Sequence, residues 1–185
     1  MQYEETYNYE RILDCKYSFN LITYDWELML LYYSMLITIV GLDTTGREVY
    51  EALTQRCRTS GVTINAYDLD SSSIESLLEA DIIMICDTRT ITAFCSSLTA
   101  HAFRGLVVIK GYVKPGTFDQ LVETHGQTLY LVLNPHTEQP ILIATPSRFK
   151  QSHLNNLINF YRIFYRGMVI SLCDVAEAER SQHIC

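Results

Sequence analysis

The stretch from Met35 to Asp70 contains two glycines and an acid whose spacing suits the binding of an anionic ligand. Gly41 follows an apolar, β-branched run and allows a tight turn. Gly46 precedes a helical pattern, and because it has no side chain the helix can pack closely against the strand. The free N–H groups at such a helix N-terminus attract a pyrophosphate. Asp68 ends a second apolar run, where its carboxylate can accept hydrogen bonds from a ribose. The stretch therefore predicts a βαβ unit of the dinucleotide-binding kind.

One position departs from the G-x-G-x-x-G fingerprint of such units. The corresponding residues here are Gly41, Leu42, Asp43, Thr44, Thr45 and Gly46. Asp43 places a carboxylate where a glycine normally lets the backbone approach the pyrophosphate. Two like charges about 4 Å apart at a partly screened site repel by up to roughly 4 kcal/mol, which would weaken binding by about three orders of magnitude. Because Asp43 can also turn outward, the sequence leaves open both a dinucleotide site and a fold that is kept without a ligand.

The composition is that of a globular protein with one domain. The chain has 185 residues, of which 48% are hydrophobic and 19% are charged. Its net charge of −7 argues against nucleic acid or an anionic membrane as the main partner. The six cysteines form no C-x-x-C pair and the acidic N-terminus lacks the basic region of a signal peptide, so we expect a cytoplasmic protein with reduced thiols. The apolar run 28–40 is too short to span a bilayer.

Residues 1–34 form an extension that precedes the domain predicted for residues 35–185. The extension contains six acids, two bases and seven tyrosines. Its pattern indicates a strand over Tyr17–Tyr24 and a short helix over Asp25–Tyr33. The extension is either an arm that packs on the surface of the domain or a segment that binds a protein partner or a second copy of the chain.

Hydrophobic periodicity predicts alternating strands and helices along the domain. The predicted helices span Arg47–Arg58, Ile91–Phe103, Phe118–Thr124, Ser152–Tyr165 and Asp174–His183, with a short helix after Ser73. Apolar runs such as Ile82–Ile85 indicate strands of a parallel sheet that is covered on both faces. The predicted fold is α/β, a three-layer, doubly wound, mostly parallel Rossmann-type sheet of six or seven strands. Asp87 and Thr88 follow Ile82–Ile85 directly, at the edge of the sheet where such folds bind ligands.

The segment Val107–Thr117, which reads VVIKGYVKPGT, resembles the V-V-x-x-S-T-V-P-P-G-T segment of the UDP-glucose/GDP-mannose dehydrogenase family. Other segments resemble that family in the same order along the chain: ITIVGLDTTG, AYDLD, EADIIMICDT, LVLNPHTEQ, ILIATPSRF and MVISLCDVAEAE. The resemblance covers the N-terminal domain of the family, which binds NAD, and it implies NAD as the cofactor. The candidate cofactor-binding residues are then Gly41, Leu42, Asp43, Thr44, Thr45, Gly46, Asp68, Asp87, Thr88 and Tyr112.

The resemblance does not extend to the catalytic residues of the family. Its members oxidise a primary alcohol of a sugar to a carboxylate, and they use a cysteine, a lysine and an asparagine that lie beyond this domain. Cys173 and Cys185 do not fit the cysteine motif, and Gly111, Tyr112 and His136 replace a serine, a threonine and a glutamate of the family's motifs. We therefore assign no catalytic residue and expect a domain that is not a complete enzyme by itself.

Three functions remain open from the sequence. The first is a cofactor-binding module that works with a substrate domain on another chain. The second is a non-catalytic interaction protein, in which Asp43, Tyr112 and His136 reflect relaxed constraint. The third is a methyltransferase, because a glycine turn followed by an acid also suits S-adenosylmethionine, although the Pro-Gly-Thr loop favours the dehydrogenase family. The five histidines have no metal-ligand spacing, and Arg89 either meets a phosphate or stays in solvent.

Overall fold

The computed structural model describes residues 34–58, 61–67, 73–135, 141–146, 151–165 and 168–181. Within these ranges, one sheet carries helices on both of its faces. The strands are β1 (Met35–Val40), β2 (Val62–Tyr67), β3 (Ile82–Ile85), β4 (Leu106–Ile109), β5 (Tyr130–Leu133), β6 (Ile141–Ala144) and β7 (Ile170–Cys173). The helices are α1 (Thr44–Cys57), α2 (Ile91–Ala100), α3 (Thr117–His125), α4 (Gln151–Phe164) and α5 (Val175–Ser181), with a 3₁₀ helix at Ile74–Leu77.

The order of the strands places a topological switch point beside β1. The strands pair in the order β2-β1-β3-β4-β5-β6-β7, and every pair is parallel except β5 and β6, which meet antiparallel at Leu133 and Ala144. The chain leaves β1 for β2 on one side and returns to β3 on the other side. In open α/β sheets, ligands bind outside the carboxyl ends of the strands at such a point. The doubly wound, mostly parallel sheet predicted from the sequence is confirmed.

Alternate residues of each central strand contribute to two separate hydrophobic layers. Ile83 and Ile85 of β3 pack in the layer that contains α2, α3 and α5, whereas Ile82 and Met84 pack in the layer that contains α1 and α4. All four of these side chains are buried. Because both faces of β3 are covered, no polar side chain interrupts the strand, and this explains the uninterrupted apolar run in the sequence.

Two predicted helix boundaries were wrong by three residues. Helix α1 begins at Thr44 rather than Arg47, because the side chain of Asp43 caps it and thereby recruits the intervening residues into its first turn. Helix α2 ends at Ala100 rather than Phe103, because Ala102 adopts a left-handed backbone conformation with a φ of 54°. The chain then turns inward, and Phe103 is buried while its N–H donates to the carbonyl of Leu98 at 3.0 Å.

Several predictions concern residues outside the described ranges. These are the strand over Tyr17–Tyr24, the helix over Asp25–Tyr33, the ribose-binding role of Asp68 and the replacement at His136. Among the described residues, no helix combines the length and the apolar character that crossing a membrane requires.

Candidate functional site

Gly41 forms the tight turn that follows β1. Its φ of +83° lies in the left-handed region, which a side chain disfavours. A Cβ atom at this position would lie 2.3 Å from the Cβ of Asp87 and 2.8 Å from the backbone nitrogen of Asp87. The glycine therefore lets the turn after β1 approach the chain that leaves β3, at the switch point of the sheet.

Gly46 brings the first turn of α1 against the same place. A Cβ atom at Gly46 would lie 1.8 Å from the carbonyl oxygen of Gly41 and 3.3 Å from the Cβ of Cys86. Helix α1 could not start where it does with any larger residue here. The close packing of helix on strand that the glycine spacing predicts is present in the structure.

Asp43 occupies the N-terminus of α1 with its own carboxylate. Its Oδ1 accepts a hydrogen bond from the backbone N–H of Gly46 at 3.0 Å, and its carbonyl oxygen accepts from the N–H of Arg47 at 2.9 Å. Asp43 is exposed, as is Thr44, whereas Leu42 and Thr45 are half-buried. A carboxylate of the chain thus takes one of the N–H groups that a bound phosphate would use, so the side chain and such a ligand compete for the same donor.

Asp87 and Arg89 form an ion pair just beyond β3. The Nε of Arg89 donates to Oδ1 of Asp87 at 3.0 Å, its Nη2 donates to Oδ2 at 2.5 Å, and its backbone N–H donates to Oδ1 at 3.0 Å. The hydrogen bonds from Arg89 lower the pKa of the Asp87 carboxyl below its ordinary value. Asp87 is buried and ionised. The guanidinium of Arg89, for which the sequence left open a phosphate ligand or solvent, binds this carboxylate.

The loop after β4 lies against the loop after β3. The hydroxyl of Thr88 donates to the carbonyl oxygen of Tyr112, a residue that is 50% exposed. A Cβ atom at Gly111 would lie 1.9 Å from the carbonyl oxygen of Cys86 and 2.9 Å from Cγ2 of Thr88. The glycine at position 111, where the family resemblance leads one to expect serine, therefore follows from the close contact of these two loops.

A buried polar cluster, consisting of Cys86, Lys110, Asn134 and Tyr161, lies beneath this edge and was missed by the sequence analysis. Nζ of Lys110 donates to Oδ1 of Asn134 at 3.1 Å, and the hydroxyl of Tyr161 donates to the same oxygen. Nδ2 of Asn134 donates to the carbonyl oxygen of Leu142 at 2.5 Å. Strand periodicity contained a signal, because Lys110 and Asn134 continue the face of Val108 and Val132 that packs under α4.

Burial controls the protonation of this cluster. Burial lowers the pKa of Lys110 to about 8, raises the pKa of Cys86 to about 12, and raises the pKa of Tyr161 well above its ordinary value. Burial also raises the pKa of Cys95 to about 12 and that of Cys173 to about 11. These three thiols hold their protons at neutral pH, so none of them has the thiolate character of a nucleophile.

A carboxylate also occupies the N-terminus of α3. Oε2 of Glu179, on α5, accepts from the N–H of Gly116 at 2.8 Å, and Oε1 accepts from the N–H of Phe118 at 3.3 Å. Glu179 is 4% exposed. Glu179 ends the segment MVISLCDVAEAE, which resembles the dehydrogenase family, and in the structure it caps this helix terminus.

The structure brings nearly all the predicted site residues to one edge of the sheet, which we call the carboxyl edge: the carboxyl ends of β1, β3, β4 and β5. The exception is Asp68, which lies outside the described residues. Residues 41–46 follow β1, Asp87 and Thr88 follow β3, and Tyr112 follows β4. The described residues contain no group of three or more histidine, cysteine, aspartate or glutamate side chains that could hold a metal ion.

Known structures share this fold. No protein-family model and no curated protein sequence matches the chain. Prephenate dehydrogenase from Aquifex aeolicus is similar with a TM-score of 0.60 and 16% identity, over 77% of this chain and 62% of that one. Pyrroline-5-carboxylate reductase from Coxiella burnetii gives 0.59 and 11%, over 82% and 64% of the two chains. An imine reductase from Streptomyces aurantiacus gives 0.57 and 9%, over 80% and 59%.

At these identities the likeness is one of fold. The chain has the Rossmann-type sheet of these dehydrogenases and reductases, and it spans about three fifths of the length of their chains.

Proposed function

We propose that this chain is a nicotinamide dinucleotide-binding domain of the dehydrogenase and reductase type. The observation that supports this most directly is the pair of glycines at the switch point. Gly41 and Gly46 permit contacts with Asp87 and with each other that no side chain would allow, and these contacts leave the N-terminus of α1 facing the carboxyl edge. Such a helix N-terminus provides N–H donors and a partial positive charge for a pyrophosphate.

The pyrophosphate of the dinucleotide binds over the first turn of α1 and displaces the carboxylate of Asp43. The N–H of Gly46 then donates to a phosphate oxygen instead of to Oδ1 of Asp43. The rest of the cofactor crosses the carboxyl ends of β3 and β4, next to Thr88 and the exposed Tyr112. Asp43 lowers the affinity of this site without closing it, because an exposed N-cap side chain can rotate away.

The preferred cofactor is NAD rather than NADP. Asp68 follows Tyr67, the last residue of β2, at the position where an acid accepts hydrogen bonds from the ribose hydroxyls of NAD and repels the 2′-phosphate of NADP. The finer assignment, to the nucleotide-sugar dehydrogenases, rests on the order of the sequence motifs. It implies a nucleotide sugar as the substrate and a separate substrate domain, since no residue of this chain is assigned to catalysis.

Calorimetric titration of the full chain with NAD, NADH and NADP tests the proposal. We expect NAD and NADH to bind, and NADP to bind more weakly. Asp43→Asn should tighten NAD binding about tenfold, because asparagine caps a helix as well as aspartate but carries no charge against the pyrophosphate. Asp43→Gly, which restores the fingerprint, should tighten it at least as much. If none of the three proteins binds NAD, NADH or NADP at millimolar concentration, the chain does not bind nicotinamide dinucleotides.

The capping by Asp43 also favours a second candidate, a non-catalytic interaction protein. A chain whose anion site is filled by its own carboxylate can keep the fold without a ligand. This candidate predicts that a chain lacking residues 1–34 loses its protein partner, or its self-association, while the domain stays folded. Unchanged association after that deletion would exclude the extension as the binding segment.

A further inference from the structure

Lys110 is a buried cation that has no anionic partner among the residues that the structure describes. It is 8% exposed, yet no carboxylate of the described residues pairs with its ammonium group. Among the described residues its hydrogen-bonding partner is the neutral Oδ1 of Asn134 at 3.1 Å, and the ring centroid of Tyr161 lies 5.8 Å from Nζ. Transferring an ammonium group out of water is costly, and proteins usually offset this cost with an opposite charge. A buried cation without one is therefore a candidate for contact with a ligand.

The surroundings of Lys110 hold the ammonium group in one place. The amide of Asn134 is itself fixed, because its Nδ2 donates to the carbonyl oxygen of Leu142 and its Oδ1 accepts from Tyr161. The neighbouring thiol of Cys86 is neutral at pH 7, since burial raises its pKa to about 12. The groups that surround Nζ from β3, β5 and α4 are thus uncharged. The exposed carboxylate of Asp43, in the glycine turn, acts electrostatically on Cys86 but forms no ion pair with Lys110.

The register of the sheet places this charge next to the glycine turn. Val40 pairs with Ile85, Ile85 pairs with Ile109, and Ile109 pairs with Leu133. The residues that follow these four, Gly41, Cys86, Lys110 and Asn134, therefore form a row along the carboxyl edge. Backbone hydrogen bonds continue the sheet through this row, from Cys86 to Val40 at 2.9 Å and from Lys110 to Ile85 at 2.8 Å. With strands about 4.8 Å apart, Lys110 lies roughly 10 Å from the turn at Gly41.

We propose that Lys110 is the fixed counter-charge of an anionic ligand that binds at the carboxyl edge above β3, β4 and β5. The ligand group is an oxyanion, either a phosphate of the dinucleotide or a carboxylate or phosphate of the substrate. The dinucleotide as its source rests on the function proposed above. The ammonium group attracts the anion through the poorly solvated interior rather than through an exposed side chain, so salt screens the attraction less than it would screen a surface lysine.

The pKa of Lys110, measured by NMR in the intact chain with isotopically labelled lysine, tests this directly. The signal of Lys110 is identified by its absence from Lys110→Met, or from Lys110→Arg if the methionine variant does not fold. An anion that is bound near the ammonium group raises its pKa. We expect a rise of about one pH unit at saturation, which corresponds to a tenfold increase in the proton affinity of Lys110. NAD, inorganic phosphate and acetate are added separately, with sodium chloride at the same ionic strength as the control. A rise with phosphate and NAD identifies a phosphate ligand, and a rise with acetate identifies a carboxylate.

Matched variants provide the second measurement. One of the anions is expected to raise the pKa of Lys110, and Lys110→Met should weaken the affinity for that anion by about tenfold. Lys114→Met, which removes an exposed lysine from the same loop, should change this affinity by less than about twofold. If Lys110→Met does not fold, the NMR titration of the wild-type chain decides alone. A pKa of Lys110 that stays constant in all three anions overturns the inference.

The two proposals fail in different ways. If NAD binds and none of the three anions moves the pKa of Lys110, the inference is wrong and the dinucleotide function stands. If NAD does not bind but phosphate or acetate raises the pKa, Lys110 serves another anion and the dinucleotide function is wrong.

Discussion

Asp43 is the residue at which local stability and ligand binding conflict most directly. An aspartate N-cap contributes about 1 kcal/mol to a helix, and here it accepts the N–H of Gly46 at 3.0 Å. The same carboxylate stands where a pyrophosphate would bind. The position of Asp43 in the fingerprint predicts the charge conflict but not the direction of the side chain, because an aspartate that precedes two threonines fits a cap and an outward rotamer equally well.

Gly41 and Gly116 form a natural pair for separating backbone strain from steric contact. Both have a positive φ, +83° and +80°, but a Cβ atom at Gly41 would meet Asp87 at 2.3 Å, whereas one at Gly116 would meet nothing within 4 Å. We expect Gly116→Ala to lower the free energy of unfolding by about 1 kcal/mol and Gly41→Ala by about 3 kcal/mol or more. Urea unfolding of both variants measures the difference. Equal losses would mean that the turn after β1 relaxes away from Asp87.

At the scale of secondary-structure elements, most of the fold could be predicted because the side-chain pattern of a single strand indicates whether one or both of its faces are buried. Ile82–Ile85 is apolar on both faces, and only a strand between two helical layers requires that. The antiparallel pairing of β5 with β6 was not predictable in the same way. Ile141–Ala144 is equally apolar and equally buried, so its composition is the same whether it runs parallel or antiparallel to its neighbour. Direction depends on the chain that connects the strands, not on their side chains.

The buried polar cluster shows a second limit of prediction from sequence. Lys110 and Asn134 each follow an apolar strand by one residue, where a polar side chain normally marks the beginning of a solvated loop. Their burial depends on Tyr161, which covers them from α4 and is distant in sequence. No local pattern links these three residues, whereas the glycine turn is recognisable because its parts lie within six consecutive positions.

The capping of α3 by α5 is a contact between elements that can be tested alone. Glu179 accepts two backbone N–H groups at the N-terminus of α3, while Glu177 on the same helix is exposed. Glu179→Ala should lower the free energy of unfolding by about 1–2 kcal/mol, because it leaves those donors without their acceptor. Glu177→Ala should change it by less than about 0.5 kcal/mol. Chemical denaturation at neutral pH compares the two, and similar losses would assign the effect to the loss of a negative charge on α5 instead of to the capping contact.

At the scale of the whole molecule, burial of Lys110 makes stability depend on pH. Its pKa is about 8 in the folded chain against an ordinary value of 10.5, so between these values the unfolded chain binds more protons and stability rises with pH. The free-energy cost of burying Lys110 should therefore fall by about 2 kcal/mol between about pH 7 and pH 9.5. Tyr161 and Tyr165, whose pKa values burial raises, act with the opposite sign but only above about pH 10.

The measurement is the difference in unfolding free energy between the wild-type chain and Lys110→Met across that range. The difference should shift in favour of the wild-type chain as the pH rises, and other titrating groups cancel because both proteins carry them. A difference that is independent of pH would show that Lys110 keeps an ordinary pKa and is solvated in solution.

Asn134 also has a consequence for the way in which the molecule opens. Strands β5 and β6 pair at Leu133 and Ala144, whereas the side chain of Asn134 connects β4, β6 and α4 through Lys110, Leu142 and Tyr161. Because the described residues of β5 and β6 share a single backbone pair, the unit of β6, α4 and β7 is attached mainly by its packing in the layer under α4 and by this amide. We expect this unit to open locally before the parallel strands separate. An anion that keeps Lys110 protonated would strengthen that attachment. Binding at the carboxyl edge would therefore slow amide hydrogen exchange in β6 and β7, which the ligand does not contact.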